Sequence, residues 1–172
     1  GSEMCIRDRG RYIVTSVVYR LQKSPELHLD YGNLRASLPG DDISIADVRK
    51  AVIEIRRSKL PEPDEYGSAG SFFMNPVIST EQYEKLKSSY PDMPHYVVDD
   101  MHVKVPAGWL IDRCGWKGKS FGGAAVYEKQ CLVLINKNNA KPNDVVALAE
   151  MIRKSVSDTY GIVINPEVNY IE

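Results

Sequence analysis

Gly67-Ser68-Ala69-Gly70-Ser71-Phe72-Phe73-Met74-Asn75-Pro76 is the stretch around which the rest of the chain is organised. Gly67 and Gly70 admit backbone angles that other residues resist. Asn75-Pro76 turns the chain out of a helical path. Ser71 stands between these small residues and an apolar pair, so its hydroxyl can sit at the lip of a buried surface. The pattern allows two readings: a loop entering a strand with Ser71 as turn filler, or a hydroxyl held in place for chemistry.

Upstream, residues 11–21 (RYIVTSVVYRL) are rich in β-branched and aromatic residues, and Ile13, Val17, Tyr19 and Leu21 share one face of an expected strand. Residues 27–31 alternate as a second short strand, turned by Gly32-Asn33. Ser44 has the character of a helix N-cap with Asp47 three residues on. Ile45, Val48, Val52 and Ile55 then form one apolar stripe, and Pro61 and Pro63 stop the helix near Lys59-Leu60. The segment 60–70, with two prolines, two glycines and three acids, is the expected boundary between two lobes.

Downstream, Ser79 or Thr80 caps a short helix that ends by Tyr90-Pro91, and 92–101 reads as irregular loop. Val103-Lys104-Val105 is a brief strand. Pro106 opens a helix with Trp109, Leu110 and Cys114 inward, closed by Gly115. Residues 117–125 (KGKSFGGAA) form a glycine-rich basic loop, and 131–135 (CLVLI) a buried strand. Asn143 is the expected cap of a last helix carrying Val145, Leu148, Ala149, Ile152 and Val156 on one face. A final strand, Ile162-Val163-Ile164, precedes Asn165-Pro166-Glu167-Val168. The fold class is α+β.

Composition narrows the function. Hydrophobic residues make up 43% and charged residues 26% of 172, the balance of a soluble globular domain. A formal net charge of -1, with acids and bases interspersed, argues against nucleic acid and against a membrane surface as partners. No apolar run is long enough to span a bilayer. Three scattered cysteines and three histidines offer neither a disulfide framework nor metal-ligand spacing, which fits a cytoplasmic protein with no metal. Gly1-Ser2 reads as an expression scar and 3–9 as a non-native junction.

Several residues carry both a functional and a structural reading. The basic glycine loop at 117–123 suits a phosphate through its backbone N–H groups and lysines, or is a plain surface turn. Glu167 either faces solvent or aims a carboxylate into a cleft between lobes. Lys59, after Arg56-Arg57, either caps a helix C-terminus or joins a cationic cluster facing an anion. Tyr31 is core packing or a hydroxyl donor to the same cleft. Lys104 and Tyr96 remain open on pattern alone, and Trp109 reads as core.

Taken in order, six groups of residues resemble the UDP-N-acetylenolpyruvoylglucosamine reductases of peptidoglycan synthesis. They are Ile55-Arg56 through Lys59-Leu60-Pro61, then Ala69-Gly70-Ser71-Phe72-Phe73 with Asn75-Pro76, and Ala107-Gly108-Trp109-Leu110-Ile111-Asp112. Gly122-Gly123-Ala124-Ala125-Val126, Leu132-Val133-Leu134-Ile135-Asn136 and Pro166-Glu167-Val168 complete the set. The resemblance implies reduction of the enol ether of UDP-N-acetylglucosamine enolpyruvate to UDP-N-acetylmuramate, with NADPH reducing a bound FAD. It implies Ser71 as proton donor and Glu167 as the carboxylate at the reacting end. It implies Tyr31, Lys59, Asn75, Tyr96, Lys104 and Gln130 as substrate-binding residues, Lys59 also meeting the nicotinamide nucleotide, and Arg56 near the flavin. A serine donates a proton only where cations stabilise the alkoxide left behind, and Arg56, Lys59 and a helix end are candidates.

The chain also departs from that pattern. Met74 stands where the family often has lysine, and Ser68 where it has asparagine. The family's flavin domain brings glycine-rich loops and a Tyr-Arg-x-Ser motif, and that motif falls at or before residue 1 here. The expectation is therefore a truncated reductase that does not turn over alone. Residues 1–60 would be the tail of an FAD-binding α+β domain, 61–161 a small α+β substrate-binding domain, and 162–172 a strand returning to the flavin lobe. A non-catalytic UDP-sugar-binding module is the alternative, and an unrelated α+β domain the third reading.

Overall fold

A computed structural model describes residues 15–30, 34–40 and 42–170. These residues fall into two compact units, Gly1–Val48 and Arg49–Glu172.

In the first unit the described residues hold a 3-10 turn at Arg35–Ser37 and the first turn of helix α1 (Ile45–Lys59). The capping box expected at Ser44 is present. The Asp47 N–H donates to Ser44 Oγ over 3.2 Å, and the Ser44 N–H donates back to the Asp47 carboxylate over 3.0 Å. The apolar stripe of α1 is shallower than its spacing suggests, since Ala51 is its buried residue while Ile45 and Val52 are exposed. The two strands expected at 11–21 and 27–31 are corrected. Residues 15–21 and 27–30 form no strand, and Val17, Val18, Tyr19 and Leu21 are exposed. Strand propensity needs a hydrogen-bonded neighbour to become a strand, and the described residues offer these segments none. Residues 11–14 and Tyr31-Gly32-Asn33 lie outside the described residues.

The second unit holds two antiparallel sheets. Strands β1 (Gly67–Ser71), β5 (Ser120–Phe121), β6 (Ala124–Val126) and β7 (Val133–Asn136) form one, in the order β1-β7-β6-β5. Strands β2 (Val77–Ser79), β3 (Tyr96–Val97) and β4 (His102–Lys104) form the other, in the order β2-β4-β3. Helices α2 (Thr80–Ser89), α3 (Ala107–Arg113) and α4 (Pro142–Tyr160) complete the α+β fold. The expected loop at 92–101 thus contains β3, a two-residue strand too short to register as a pattern but long enough to pair with β4. The cap of α2 is Ser79, whose Oγ accepts the Gln82 N–H over 3.1 Å.

Alternation along β6 and β7 gives the larger sheet two buried faces. Ala124, Val126 and Leu134 join the main core with Leu148, Ala149, Ile152 and Val156 of α4. Ala125, Tyr127, Val133 and Ile135 form a second cluster on the other face, covered by Leu60 and Tyr66. Each fully buried aliphatic side chain of α4 contributes roughly 1.5–3 kcal/mol.

Helix α4 is capped differently from expectation. Its N-cap is Lys141, with Pro142 in the first turn and the Asp144 carboxylate accepting the Lys141 N–H over 2.9 Å, so Asn143 lies inside the helix. The helix ends as expected at Gly161, in the left-handed region at φ 64°. Beyond it Ile162 and Ile164 are buried in the main core and Val163 is exposed, yet no strand forms. Just beyond Ile164 the chain makes one isolated antiparallel bridge, Phe73 to Pro166.

Candidate functional site

Ser71 closes β1, which is itself the edge strand rather than a loop leading to one. In its pairing with β7, Ser68 faces Ile135 and Ser71 faces Val133, so β1 carries one extra residue. Gly70 absorbs it at φ 78°, where a side chain would be strained. The bulge leaves Ser71 exposed while the next two residues, Phe72 and Phe73, plunge into the core at 2% and 1% exposure. Their rings pack edge to face at 5.1 Å.

The same two phenylalanines bring the far end of the chain to Ser71. The Glu167 N–H donates to the Phe72 carbonyl over 2.8 Å, and the Met74 N–H donates to the Asn165 carbonyl over 2.9 Å. Glu167, exposed at its side chain, is therefore anchored by its backbone one residue from Ser71.

Beside β1 lies an open groove of about 460 Å³, lined among others by Arg56, Arg57, Leu60, Ser68, Gly70 and Val133. Val133 is the register partner of Ser71. Arg57 is paired with Glu62 at 3.2 Å. Lys59, exposed in the last turn of α1, lies outside the lining of this groove and of the cleft described next.

A second depression, about 380 Å³, gathers Asn75, Tyr96 and Gln130 around Gly108 and Trp109. Lys104 is the register partner of Tyr96 on β3 and of Val77 on β2. Cross-strand partners share one face of a sheet, so Lys104 and Tyr96 point to the same side. Two amides here have fixed polarity. Asn75 Oδ1 accepts the Ala107 N–H over 2.9 Å, and Gln130 Oε1 accepts the Leu132 N–H over 3.4 Å. A backbone N–H only donates, so the oxygen of each side chain is committed and its NH₂ is left to donate elsewhere. Gly108 lies against the Gln130 amide, since a Cβ there would meet Leu132 and Gln130 Oε1 at ordinary contact distance.

Charge in the cleft is mixed, with Lys117 and Lys129 against Asp112, whose carboxylate lies 4.0 Å from the Lys117 ammonium. Lys129 carries no periodic or motif signal, and Asp112 stands in a family-like motif with no site role of its own. Trp109, expected in the core, is half-buried at the cleft wall, with the Arg113 guanidinium 5.3 Å from its ring centroid. Cys131 also lines the cleft. Burial, then the Asp112 charge, pushes its thiol up to about 11, so it is no thiolate nucleophile at neutral pH.

The glycine-rich stretch at 117–125 is not an open phosphate loop. It folds as the β5–β6 hairpin, turning at Gly122-Gly123, and Asp144 Oδ2 accepts the Gly123 N–H over 3.2 Å. The protein thus supplies its own anion to the turn. The Lys141 and Gly123 N–H groups hold the Asp144 carboxyl below the usual range. Tyr31 lies outside the described residues. Among the described residues no helix is long and apolar enough to cross a membrane.

Comparison with known proteins bears on the family of the chain. The family model for the C-terminal domain of UDP-N-acetylenolpyruvoylglucosamine reductase matches residues 62–171. A UDP-N-acetylenolpyruvoylglucosamine reductase of Bacteroides fragilis is 52% identical over 161 residues, covering 92% of this chain and 48% of its own length. The reductase of Flavobacterium johnsoniae is 43% identical over 167 residues (95% and 50%), and that of Pasteurella multocida 46% identical over 161 (94% and 47%). The chain spans about half the length of the curated relatives it matches.

Proposed function

The chain belongs to the UDP-N-acetylenolpyruvoylglucosamine reductase family, and from that membership we propose that it is the substrate-holding, proton-delivering part of a flavoenzyme of peptidoglycan synthesis. The reaction is reduction of UDP-N-acetylglucosamine enolpyruvate to UDP-N-acetylmuramate in the cytoplasm. The observation that carries this reading is the gathering of Asn75, Tyr96 and Gln130 in one cleft, with Lys104 on the face it shares with Tyr96. Two amide donors, a phenol and an ammonium suit a ligand rich in acceptor oxygens, as a diphosphate and a sugar are.

The described residues fit a flavin in part. Arg56 and the glycine-bearing edge at Ser68 and Gly70 offer one wall to a planar ring. A glycine-rich loop for the FAD pyrophosphate does not occur in this chain. A reduced flavin, when bound, supplies a hydride to the enol ether double bond, with NADPH as the source of the electrons.

This chain's own residues answer for the proton. Hydride addition leaves negative charge on the carbon beside the substrate carboxylate, and Ser71 Oγ gives its proton to that carbon. Glu167, anchored through Phe72, serves the same reacting end. Phe72 and Phe73, buried in the core, fix the backbone that presents Ser71. Arg56 and Lys59 are the cations proposed to steady the alkoxide on Ser71, with Lys59 also serving the nicotinamide nucleotide, and Tyr31 is proposed to hold substrate. Residues 1–60 are proposed as the tail of the flavin domain, 61–161 as the substrate domain, and 162–172 as the return to the flavin lobe.

Calorimetric titration of the chain with UDP-N-acetylglucosamine enolpyruvate is the test. Saturable binding, displaced by UDP-N-acetylglucosamine, is expected, and no heat at millimolar ligand overturns the reading. The purified chain is expected to be colourless and without turnover, so a yellow preparation with stoichiometric flavin would contradict the flavin part. Binding of the UDP-sugar that no added flavin or partner chain converts to turnover would favour a pure binding module instead.

A further inference from the structure

Arg153 lies on α4 with its side chain 29% exposed. Its Nε donates to the Ile164 carbonyl over 2.9 Å, and its Nη1 donates to the Glu150 carboxylate over 2.6 Å. A planar guanidinium can serve two acceptors at once from a rigid fork, which an ammonium does less well.

The carbonyl it holds begins the segment that delivers Glu167. Immediately after Ile164 come Asn165, whose carbonyl receives the Met74 N–H, Pro166, bridged to Phe73, and Glu167, whose N–H donates to Phe72. No strand ladder supports these residues, so few bonds define their path. Tyr170 closes the far side, its ring centroid 6.4 Å from that of Phe72. Burial, then the Glu150 charge, raises the Tyr170 phenol, and the Arg153 charge pulls it the other way. Arg153 thus ties the helix to the chain three residues before Glu167.

On the reading that Glu167 serves the reacting end, we propose that Arg153 is its positioning residue, fixing the 164–167 backbone against Phe72 so that the carboxylate stands beside Ser71. The segment's own sequence supplies apolar anchors on either side, Ile164 buried in the core and Val168 packed against it. Pro166 limits one backbone angle, but the direction of approach is set from α4.

Amide hydrogen exchange on the full chain tests the assignment. Arg153→Met keeps the aliphatic length and removes the donors. It is expected to speed exchange at the Met74 and Glu167 amides about tenfold or more, the loss of one charged hydrogen bond. The amides of Val105 and Lys137, which donate to Pro76 and Gly123, are expected to stay within about twofold, as unaffected distant sites should. In the same samples the Glu167 carboxyl resonance moves on Arg153→Met and returns toward its original position in Arg153→Lys, which a general loss of stability would not produce. Glu150→Gln leaves both amides protected. Unchanged exchange at Met74 and Glu167, or equal acceleration at Val105 and Lys137, overturns the proposal. Arg153→Lys, expected to fall between, decides by the same comparison if Arg153→Met does not fold. None of these readouts needs ligand or turnover, so they fail separately from the calorimetric test of the reductase reading.

Discussion

Glu167 donates its backbone N–H to the carbonyl of Phe72 over 2.8 Å, joining the end of the chain to the residue that follows Ser71. That bond is more than packing. Phe72 and Phe73 are buried, so the backbone between them and Ser71 cannot shift without disturbing the core. The acid and the hydroxyl inherit that rigidity although neither side chain is itself buried. A site built from exposed groups on a fixed backbone can meet a ligand without first reorganising.

Ser71 and Lys104 should separate chemistry from binding. Ser71→Ala removes a hydroxyl assigned to proton delivery and is expected to leave UDP-sugar affinity within about twofold. Lys104→Ala removes a charge-assisted donor and is expected to weaken binding about tenfold or more. Calorimetry on the two variants checks this, and equal losses would argue against the division of roles.

Asn75 should separate a structural from a ligand role within one side chain. Its oxygen accepts the Ala107 N–H at the start of α3, and its NH₂ is the group proposed to meet a ligand. Asn75→Asp keeps the acceptor and loses the donor, so thermal stability is expected to hold while binding of a diphosphate sugar is lost. Asn75→Ala loses both, and is expected to cost about 1 kcal/mol of stability as well. A variant Asn75→Asp that bound as tightly as the parent would show that the amide does not donate to the ligand.

The parts of this fold written in local sequence are those with a local cause. The Ser44 and Ser79 caps, the α4 stripe and the Gly161 stop each rest on contacts within a turn or two, and the structure has them. The strands expected at 11–21 and 162–164 had the right residues, but among the described residues they lack a ladder, which only a distant partner supplies. At Gly122-Gly123 the pattern left a phosphate loop and a plain turn both open, because the anion that meets the turn, Asp144, is held on α4. The site divides in the same way. Ser71 was visible as a hydroxyl between glycines and aromatics. The meeting of Tyr96 with Lys104, and of Glu167 with Phe72, joins segments that no local pattern connects, and the family resemblance implied roles for Tyr96, Lys104 and Glu167 but not these contacts.

Two glycines should differ sharply in what they tolerate. At Gly70 the backbone is left-handed but open, with nothing near an added Cβ. Gly70→Ala is expected to cost about 1 kcal/mol through strain alone. At Gly123 an added Cβ overlaps the Asn138 carbonyl and the Ala140 backbone. Backbone cannot swing aside as a side chain can, so Gly123→Ala is expected to cost about 3 kcal/mol. Urea unfolding of both variants checks the order, and a Gly70→Ala loss as large as that of Gly123→Ala would place the crowding at the wrong turn.

Asp144 should make the β5–β6 turn acid-sensitive. Its carboxyl is held down by the Lys141 and then the Gly123 N–H groups, below an ordinary value of 3.8. A depressed carboxyl stabilises the fold above its unfolded value, and that contribution is lost as pH falls through the lower folded value. The window therefore lies below about pH 3.8, not near neutrality. Asp99, held down by the Met101 N–H and then His102, and Glu81, held down by Lys85, act in the same direction. The slope of stability against pH in that window is expected to flatten in Asp144→Asn, whose oxygen still accepts but no longer titrates. The Lys137 amide, which donates to the Gly123 carbonyl, should lose exchange protection in the parent as the pH falls, and lose less of it in the variant. Identical pH profiles for the two proteins would mean that the turn is held by the packing of Gly123 alone.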